Sequence, residues 1–221
     1  MAAEKSKLPR VPVKKILAAL AEAYPDAATA LNFADPFQLL VATMLSAQCT
    51  DKTVNAVTPA LFARCPTAAD MAALPVEDLG ALIQRCGLWR SKARHIHDAC
   101  VILASEHHNE VPPDHDALVR LPGVGRKTAN VVVSNAFAIP AIAVDTHVFR
   151  VANRLGLAAA RTPEETERQL MRRIPRRDWS LAHHWLIWHG RRVCVARNPR
   201  CTACTLLPYC PAGRARVRAT P

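Results

Sequence analysis

Leu121-Pro122-Gly123-Val124-Gly125-Arg126-Lys127-Thr128-Ala129 is the stretch whose reading decides the fold. Two glycines stand two residues apart between segments of helical periodicity. Glycine lets a backbone turn tightly and approach another surface closely. The segment after Gly125 reads as a helix, and the first N–H groups of a helix have no partner within it. Those donors suit a phosphate oxygen. Lys127 falls in the first turn, where the positive end of the macrodipole disfavours the ammonium form. A neutral amine is what covalent catalysis by lysine requires. Taken singly, a G-x-G between helices is an ordinary turn and Lys127 a solvated charge.

Working outward, helical periodicity recurs and strand-like alternation does not persist anywhere. Val13, Ile16, Leu17 and Leu20 mark an amphipathic helix. Asp35-Pro36 opens a second, with Leu40, Met44 and Leu45 along one face. Thr50 reads as the N-cap of a third, whose apolar face is Val54, Val57 and Leu61. Pro75 begins a fourth through Leu79, Leu82 and Ile83, closed by Gly87. Ala93, Ile96, Cys100 and Leu103 trace a fifth, and a short helix over Asp116–Leu121 leads into the hairpin. Asp145 caps the next helix, which ends at Leu155. Thr162-Pro163-Glu164-Glu165 is a helix start with Thr162 as cap and Glu165 completing a capping box. Leu181, Trp185, Trp188 and Arg192 share a face of the last long helix, the two tryptophans as core. Prolines fall between apolar stretches, and the basic tail, Gly213 to Pro221, reads as disordered. The fold class expected is all-α.

Half of the 221 residues are apolar, enough for one or two solid cores. The formal net charge of +11 points to a polyanion, nucleic acid or an anionic membrane surface. No apolar run approaches the roughly 20 residues that span a bilayer. Met1 to Lys15 carries five basic residues and no apolar run follows, so a secretory signal is not expected.

Eight cysteines are present. Cys49, Cys65, Cys86 and Cys100 are scattered among apolar positions and read as small buried hydrophobes. Cys194-x₆-Cys201-x₂-Cys204-x₅-Cys210 puts four thiols within seventeen residues. In a reducing compartment such a cluster suggests a metal before a disulfide. The spacing permits zinc or a [4Fe–4S] cluster. Arg197 and Arg200 lie between the first two cysteines, where a braced loop would hold them against phosphates.

Eighteen residues beyond Lys127, Val144-Asp145-Thr146-His147 places a carboxylate at a helix start. Leu121–Ala129 followed by Val144–Arg150 closely resembles the helix-hairpin-helix DNA glycosylases, specifically the endonuclease III family. The resemblance includes Leu45-Ser46-Ala47-Gln48-Cys49-Thr50-Asp51 and the cysteine cluster, and so covers about residues 12 to 212. It implies two helical domains with a DNA-binding cleft between them. A six-helix domain with the hairpin would span 29–139, and an iron–sulfur domain would combine 1–28 with 140–221.

The resemblance also implies roles. Lys127 would attack C1′ of a damaged nucleotide, and Asp145 would activate it and stabilise positive charge on the sugar. The four cysteines would hold a [4Fe–4S] cluster. Gln48 and Leu88 would fill the gap left by a base drawn from the stack. Gly123, Val124, Gly125, Arg126, Thr146 and His147, with Arg197 and Arg200, would contact DNA. The implied activity is removal of oxidised pyrimidines followed by β-elimination at the abasic site. The partner would be damaged double-stranded DNA, met by a monomer in the cytoplasm at the nucleoid, with no membrane. An adenine-specific relative lacks the lysine, and a non-catalytic DNA-binding protein would not need the Lys127–Asp145 pair. Asn198, Val119 and Trp89 depart from residues common in the family.

Overall fold

The computed structural model describes residues 8–219. Its backbone is helical and, among the described residues, contains no strand. The chain divides into two compact units, one of Thr29–Ile139 and one of Met1–Ala28 with Pro140–Pro221.

The Thr29–Ile139 unit is built around α2, Pro36–Leu45. Asp35 caps it, its carboxylate accepting from the Gln38 amide at 2.8 Å, with Pro36 at the first helical position. A single apolar face was expected; instead Phe37 and every residue from Leu39 to Leu45 are buried. A helix apolar all round belongs in the middle of a core. The one hydroxyl there, Thr43 Oγ1, donates back to the Leu39 carbonyl at 2.7 Å and so is not left unsatisfied. The unit also holds α3 (Asp51–Arg64), α4 (Ala68–Ala73), α5 (Val76–Ile83), α6 (Trp89–Glu106), α7 (His115–Arg120) and α8 (Arg126–Ala136), of which α3, α6 and α8 pack on α2. The unit thus holds the expected six helices plus the short α4, which Thr67 and Asp70 close with a reciprocal capping box.

Three local expectations are corrected here. Pro59 lies inside α3, on its exposed side, where water can reach the carbonyl that loses its partner. Helix α5 stops at Ile83 rather than at Gly87. The left-handed residue beyond it is Leu88, with φ 59°, not the neighbouring glycine. Gly87 is needed small for another reason: a Cβ there would lie 3.3 Å from the Gln48 carbonyl oxygen.

The second unit joins α1 (Val13–Ala23) to α9 (Thr146–Leu155), α10 (Pro163–Arg173), α11 (Trp179–Arg192) and α12 (Pro211–Ala219). Its core contains Ile16, Leu17 and Leu20 from α1, Val148, Val151 and Leu155 from α9, and Trp185 and Leu186 from α11. Trp188 packs at its edge, donating to the Ala28 carbonyl, edge-on to Tyr24 and under the Arg192 guanidinium. Leu181, expected on the same face as Trp185, is 47% exposed. Thr162 caps α10 as expected, but Glu165 reaches the Arg161 amide and not that of Thr162, so the capping box does not close. The tail read as disordered forms α12 as far as Ala219, packed on α9. The Arg214 amide donates to the Cys210 carbonyl and the Gly213 amide to Cys210 Sγ, which starts that helix. Thr220, Pro221 and the basic residues Lys5 and Lys7 lie outside the described residues.

Candidate functional site

The hairpin is held by its apolar residues. Leu121 and Val124 are buried, and the Val124 amide donates to the Leu121 carbonyl at 3.1 Å. Val124, expected as a DNA contact, can therefore offer only backbone. Gly123 has φ 76°, and a Cβ on it would lie 2.7 Å from the Cβ of His95 on α6. Backbone and space both require glycine there. Gly125 differs: a Cβ added to it meets nothing within 4 Å. The fold does not explain this second glycine, and the space beside it is open.

These contacts make a paired prediction. Gly123→Ala should lose stability by a few kcal/mol, because it combines strain with a clash against backbone-proximal atoms. Gly125→Ala should cost at most about 1 kcal/mol, the difference between the two as caps. Yet it should weaken DNA binding clearly, because a methyl then stands where a phosphate would sit. Denaturant midpoints and duplex-binding titrations on both variants check this; normal binding by Gly125→Ala would remove the hairpin from the interface.

Gly125 is the N-cap of α8 and supplies no side-chain cap. Arg126 and Lys127 follow in the first turn, both exposed. Lys127 thus presents its amine beside backbone donors of an uncapped helix end.

Two further exposed turns occur in the same unit. Gln48 is exposed with φ 51°, and Leu88 is 57% exposed with φ 59°. A left-handed backbone is uncommon for residues other than glycine and costs roughly 1–3 kcal/mol where it persists. Leu88 also leaves a large apolar side chain in water directly before α6. The two turns are in near contact, as the Gly87–Gln48 approach shows.

Asp145 stands in the other unit. It is half-buried and caps α9, its Oδ1 accepting from the Val148 amide at 2.8 Å. Thr146 is exposed. His147 Nδ1 lies 3.1 Å from Arg150 Nη2. Arg150 was not singled out from sequence. It donates to the carbonyls of Cys194 and Gly190 at 3.0 and 2.9 Å, tying the start of α9 to the end of α11. One helical turn on, Arg154 donates to the Val195 and Ala196 carbonyls and lies 3.5 Å from Cys194 Sγ. The i, i+4 pair of arginines on α9 was the available signal.

Cys194, Cys201, Cys204 and Cys210 line one cavity of about 110 Å³, together with Arg154, His189 and Arg200. His189 is buried, which lowers its pKa to about 4, and its Nε2 is 3.7 Å from Cys204 Sγ. Tyr24 Oη lies 2.9 Å from its Nδ1. Burial raises Cys204 and Cys210, and the other cysteines add to this. Cysteine binds a metal as thiolate, so a cation in this cavity would favour the ionisation that burial opposes at Cys204 and Cys210. Among the described residues, no three His, Cys, Asp or Glu side chains are grouped tightly enough for a single ion. Four cysteines around one cavity are a ligand set that either zinc or a polynuclear iron–sulfur centre can use. Arg197 and Arg200 are exposed on this loop.

Two of the three departures have local explanations. Asn198 has φ 50°, a conformation asparagine tolerates well. Trp89 fits because Gly80 faces it; a Cβ there would come 2.8 Å from the indole. Val119 is 40% exposed on α7, and nothing in the structure explains it.

Residues 41–176 match the family described as HhH-GPD superfamily base excision DNA repair protein. The chain is 48% identical to endonuclease III of Bacillus subtilis (strain 168), over 89% of its own length and 90% of that protein's. It is also 48% identical to endonuclease III of Escherichia coli (strain K12), over 89% of its length and 93% of the relative's. Among solved structures it resembles a trapped endonuclease III–DNA covalent intermediate, with a TM-score of 0.89 and 48% identity over 93% of this chain and 97% of the other. A thermostable thymine-DNA glycosylase shares the fold at 20% identity, with a TM-score of 0.83 over 91% of this chain and 96% of the other.

Proposed function

The chain belongs to the endonuclease III family of HhH-GPD base excision DNA repair proteins, and from that premise we propose that it is a DNA glycosylase and abasic-site lyase acting on oxidised pyrimidines in duplex DNA. The observation that carries the mechanism is Lys127, an exposed amine in the first turn of a helix that no side chain caps, directly after a hairpin with one sterically unneeded glycine.

The hairpin backbone, Arg126, Thr146, His147, Arg197 and Arg200 grip phosphates, which fixes register without reading sequence. Extruding a base costs a few kcal/mol. Gln48 and Leu88 offset this by occupying the vacated space, for which two exposed and already strained turns are suited. The Lys127 amine then bonds to C1′ as the damaged base leaves with the glycosidic electron pair. The nitrogen loses a proton, the sugar ring opens, and a Schiff base remains. Loss of a C2′ proton expels the 3′ phosphate and cuts the strand; water then releases the enzyme. Asp145 carries the negative charge that supports positive charge on the sugar and takes up the lysine proton. The family's capture as a covalent DNA intermediate in a relative supports a catalytic reading over a binding-only one.

Cys194, Cys201, Cys204 and Cys210 are the residues that would hold a [4Fe–4S] cluster. Bound there, it would crosslink the loop that carries Arg197 and Arg200. Among the described residues no helix is long and apolar enough to cross a membrane. With chromosomal DNA as substrate, the protein works at the nucleoid, as a monomer.

A panel of duplexes carrying one defined lesion each tests the activity. Oxidised pyrimidines should give free base and a β-elimination nick, and an undamaged duplex should give neither. Nicking at abasic sites with no base release from any lesion would reduce the protein to a lyase. Metal analysis of anaerobically prepared protein tests the cofactor: about four irons per chain are expected for a cubane, with Cys201→Ser losing the brown colour. One zinc and no iron would refute it.

A further inference from the structure

Inside the Thr29–Ile139 unit lies a lysine that the repair chemistry leaves unused. Lys92, on α6, is only 6% exposed. Its Nζ donates to the Leu45 carbonyl at 2.8 Å, 47 residues away in sequence. Leu45 is the last residue of α2, and the last carbonyls of a helix have no partner within it. The Ala42 and Thr43 carbonyls accept from the Ser46 amide, and that of Met44 from the Ala47 amide. The Leu45 carbonyl takes the lysine amine. A cation there also meets the negative end of the α2 dipole. Burial nonetheless lowers the Lys92 pKa, so a charge in this place works against the core. A methionine would fill similar space without that cost. What the lysine adds is a bond between two helices at a fixed point.

That point is the root of both exposed turns. From Leu45 the chain runs through Ser46 and Ala47 to Gln48, which is left-handed with φ 51°. On the other side, the Lys92 amide donates to the Leu88 carbonyl at 3.1 Å, as does Ser91 Oγ. Leu88 is the other left-handed residue, with φ 59°. One residue therefore holds the Gln48 turn with its side chain and the Leu88 turn with its backbone. The turns also meet nearer their tips, where a Cβ on Gly87 would lie 3.3 Å from the Gln48 carbonyl oxygen.

We infer that Lys92 is a positioning residue for base extrusion: it braces the Gln48 and Leu88 turns against each other, so that both enter the duplex as one preformed unit. Drawing a base from the stack is uphill. A side chain that fills the gap offsets this fully only if it is already in place, because ordering it at that moment costs conformational entropy. Left-handed backbone is sparsely populated for Gln and Leu by themselves, and it persists where the surroundings over-determine it. The two Lys92 bonds and the Gly87 approach supply that constraint. The inference rests on the wedge roles proposed for Gln48 and Leu88. Lys92 is buried and acts through those turns, not on the reacting atoms.

Lys92→Met in the full chain removes the donor and keeps the bulk. Single-turnover base release from a fully paired lesion should slow about tenfold. The fluorescence rise of a 2-aminopurine beside the lesion, which reports unstacking, should slow with it. Borohydride trapping at a preformed abasic site, which has no base to draw out, should stay within about twofold of wild type. A lysine that only stabilised the core would lower base release and trapping by one common factor, through the amount of folded protein. Equal losses, or base release at the wild-type rate, would overturn the inference. Gly87→Ala reaches the same brace from outside the core, since Gly87 is exposed. Its methyl should push the turns apart and slow base release about threefold with trapping unchanged. Should Lys92→Met fail to fold, this variant decides: wild-type base release by it would overturn the brace. Gln48→Ala and Leu88→Ala in the same assays separate the two ideas. If neither slows base release, the wedge reading fails and the brace's role fails with it. If they slow it while Lys92→Met and Gly87→Ala do not, only the brace falls.

Discussion

Lys127→Gln should abolish covalent trapping: borohydride present during reaction should crosslink the wild-type protein to damaged DNA and leave the variant uncrosslinked. The chemistry depends on an amine lone pair at C1′. The lysine amine leaves a C=N bond, and hydride reduces that bond to a stable secondary amine. Glutamine keeps a similar length and nearly the same helix propensity, but its amide nitrogen is not a nucleophile. Lys127 is exposed, so its replacement leaves the core untouched. Surface changes of this kind usually stay within about 0.5 kcal/mol. Duplex binding should persist, because the hairpin backbone and Gly125 are unaltered. Base release and strand cleavage should both drop to background. Trapping by Lys127→Gln at the wild-type rate would assign the nucleophile to another amine and sink the mechanism.

Asp145→Asn is expected to slow base removal by about 10²–10³-fold, the range seen when one electrostatic stabiliser of a transition state is removed. The structure makes this variant informative. Asp145 caps α9 through Oδ1, and asparagine caps a helix as well as aspartate does. The substitution therefore removes the charge and keeps the cap. Asp145→Ala removes both, and should add a stability loss of about 0.5–2 kcal/mol. Single-turnover base release and thermal melting on the two variants separate the roles. If Asp145→Asn released base at the wild-type rate, Asp145 would be a cap and nothing more.

Helix starts were the most legible part of the fold. Thr50, Asp145 and Thr162 each cap the helix they were expected to cap, and Asp35, expected to open α2 with Pro36, caps it. Such a cap is a bond between a side chain and an amide three residues on, so it is written within one turn of sequence. Where a cap alone marked a helix, the reading was weaker. The short α4 carries a complete capping box but too few apolar residues to show a period. Helix α10 shows the reverse, a sequence match to the box whose Glu165 takes the Arg161 amide instead.

The site divides along the same line. The order Gly123, Gly125, Lys127, Asp145 and the four cysteines is visible in sequence, because each motif is short and its chemistry follows from residue type. The burial of Val124, the exposure of Leu88 and the separate reasons for the two glycines are not visible there. They depend on what packs against each residue: His95 beside Gly123, the Gln48 carbonyl beside Gly87.

By itself, then, the sequence determined that the chain is all-helical, where most helices begin, and which short motifs carry an amine, a carboxylate and four thiols. Those features arise from interactions within a few residues. Only the tertiary structure decided that Lys92 is buried with its amine on the Leu45 carbonyl, that Arg150 and Arg154 secure the Cys194 segment, and that α2 is buried on every side. Each of these joins positions tens of residues apart, through burial and hydrogen bonds that exist only once the helices have packed.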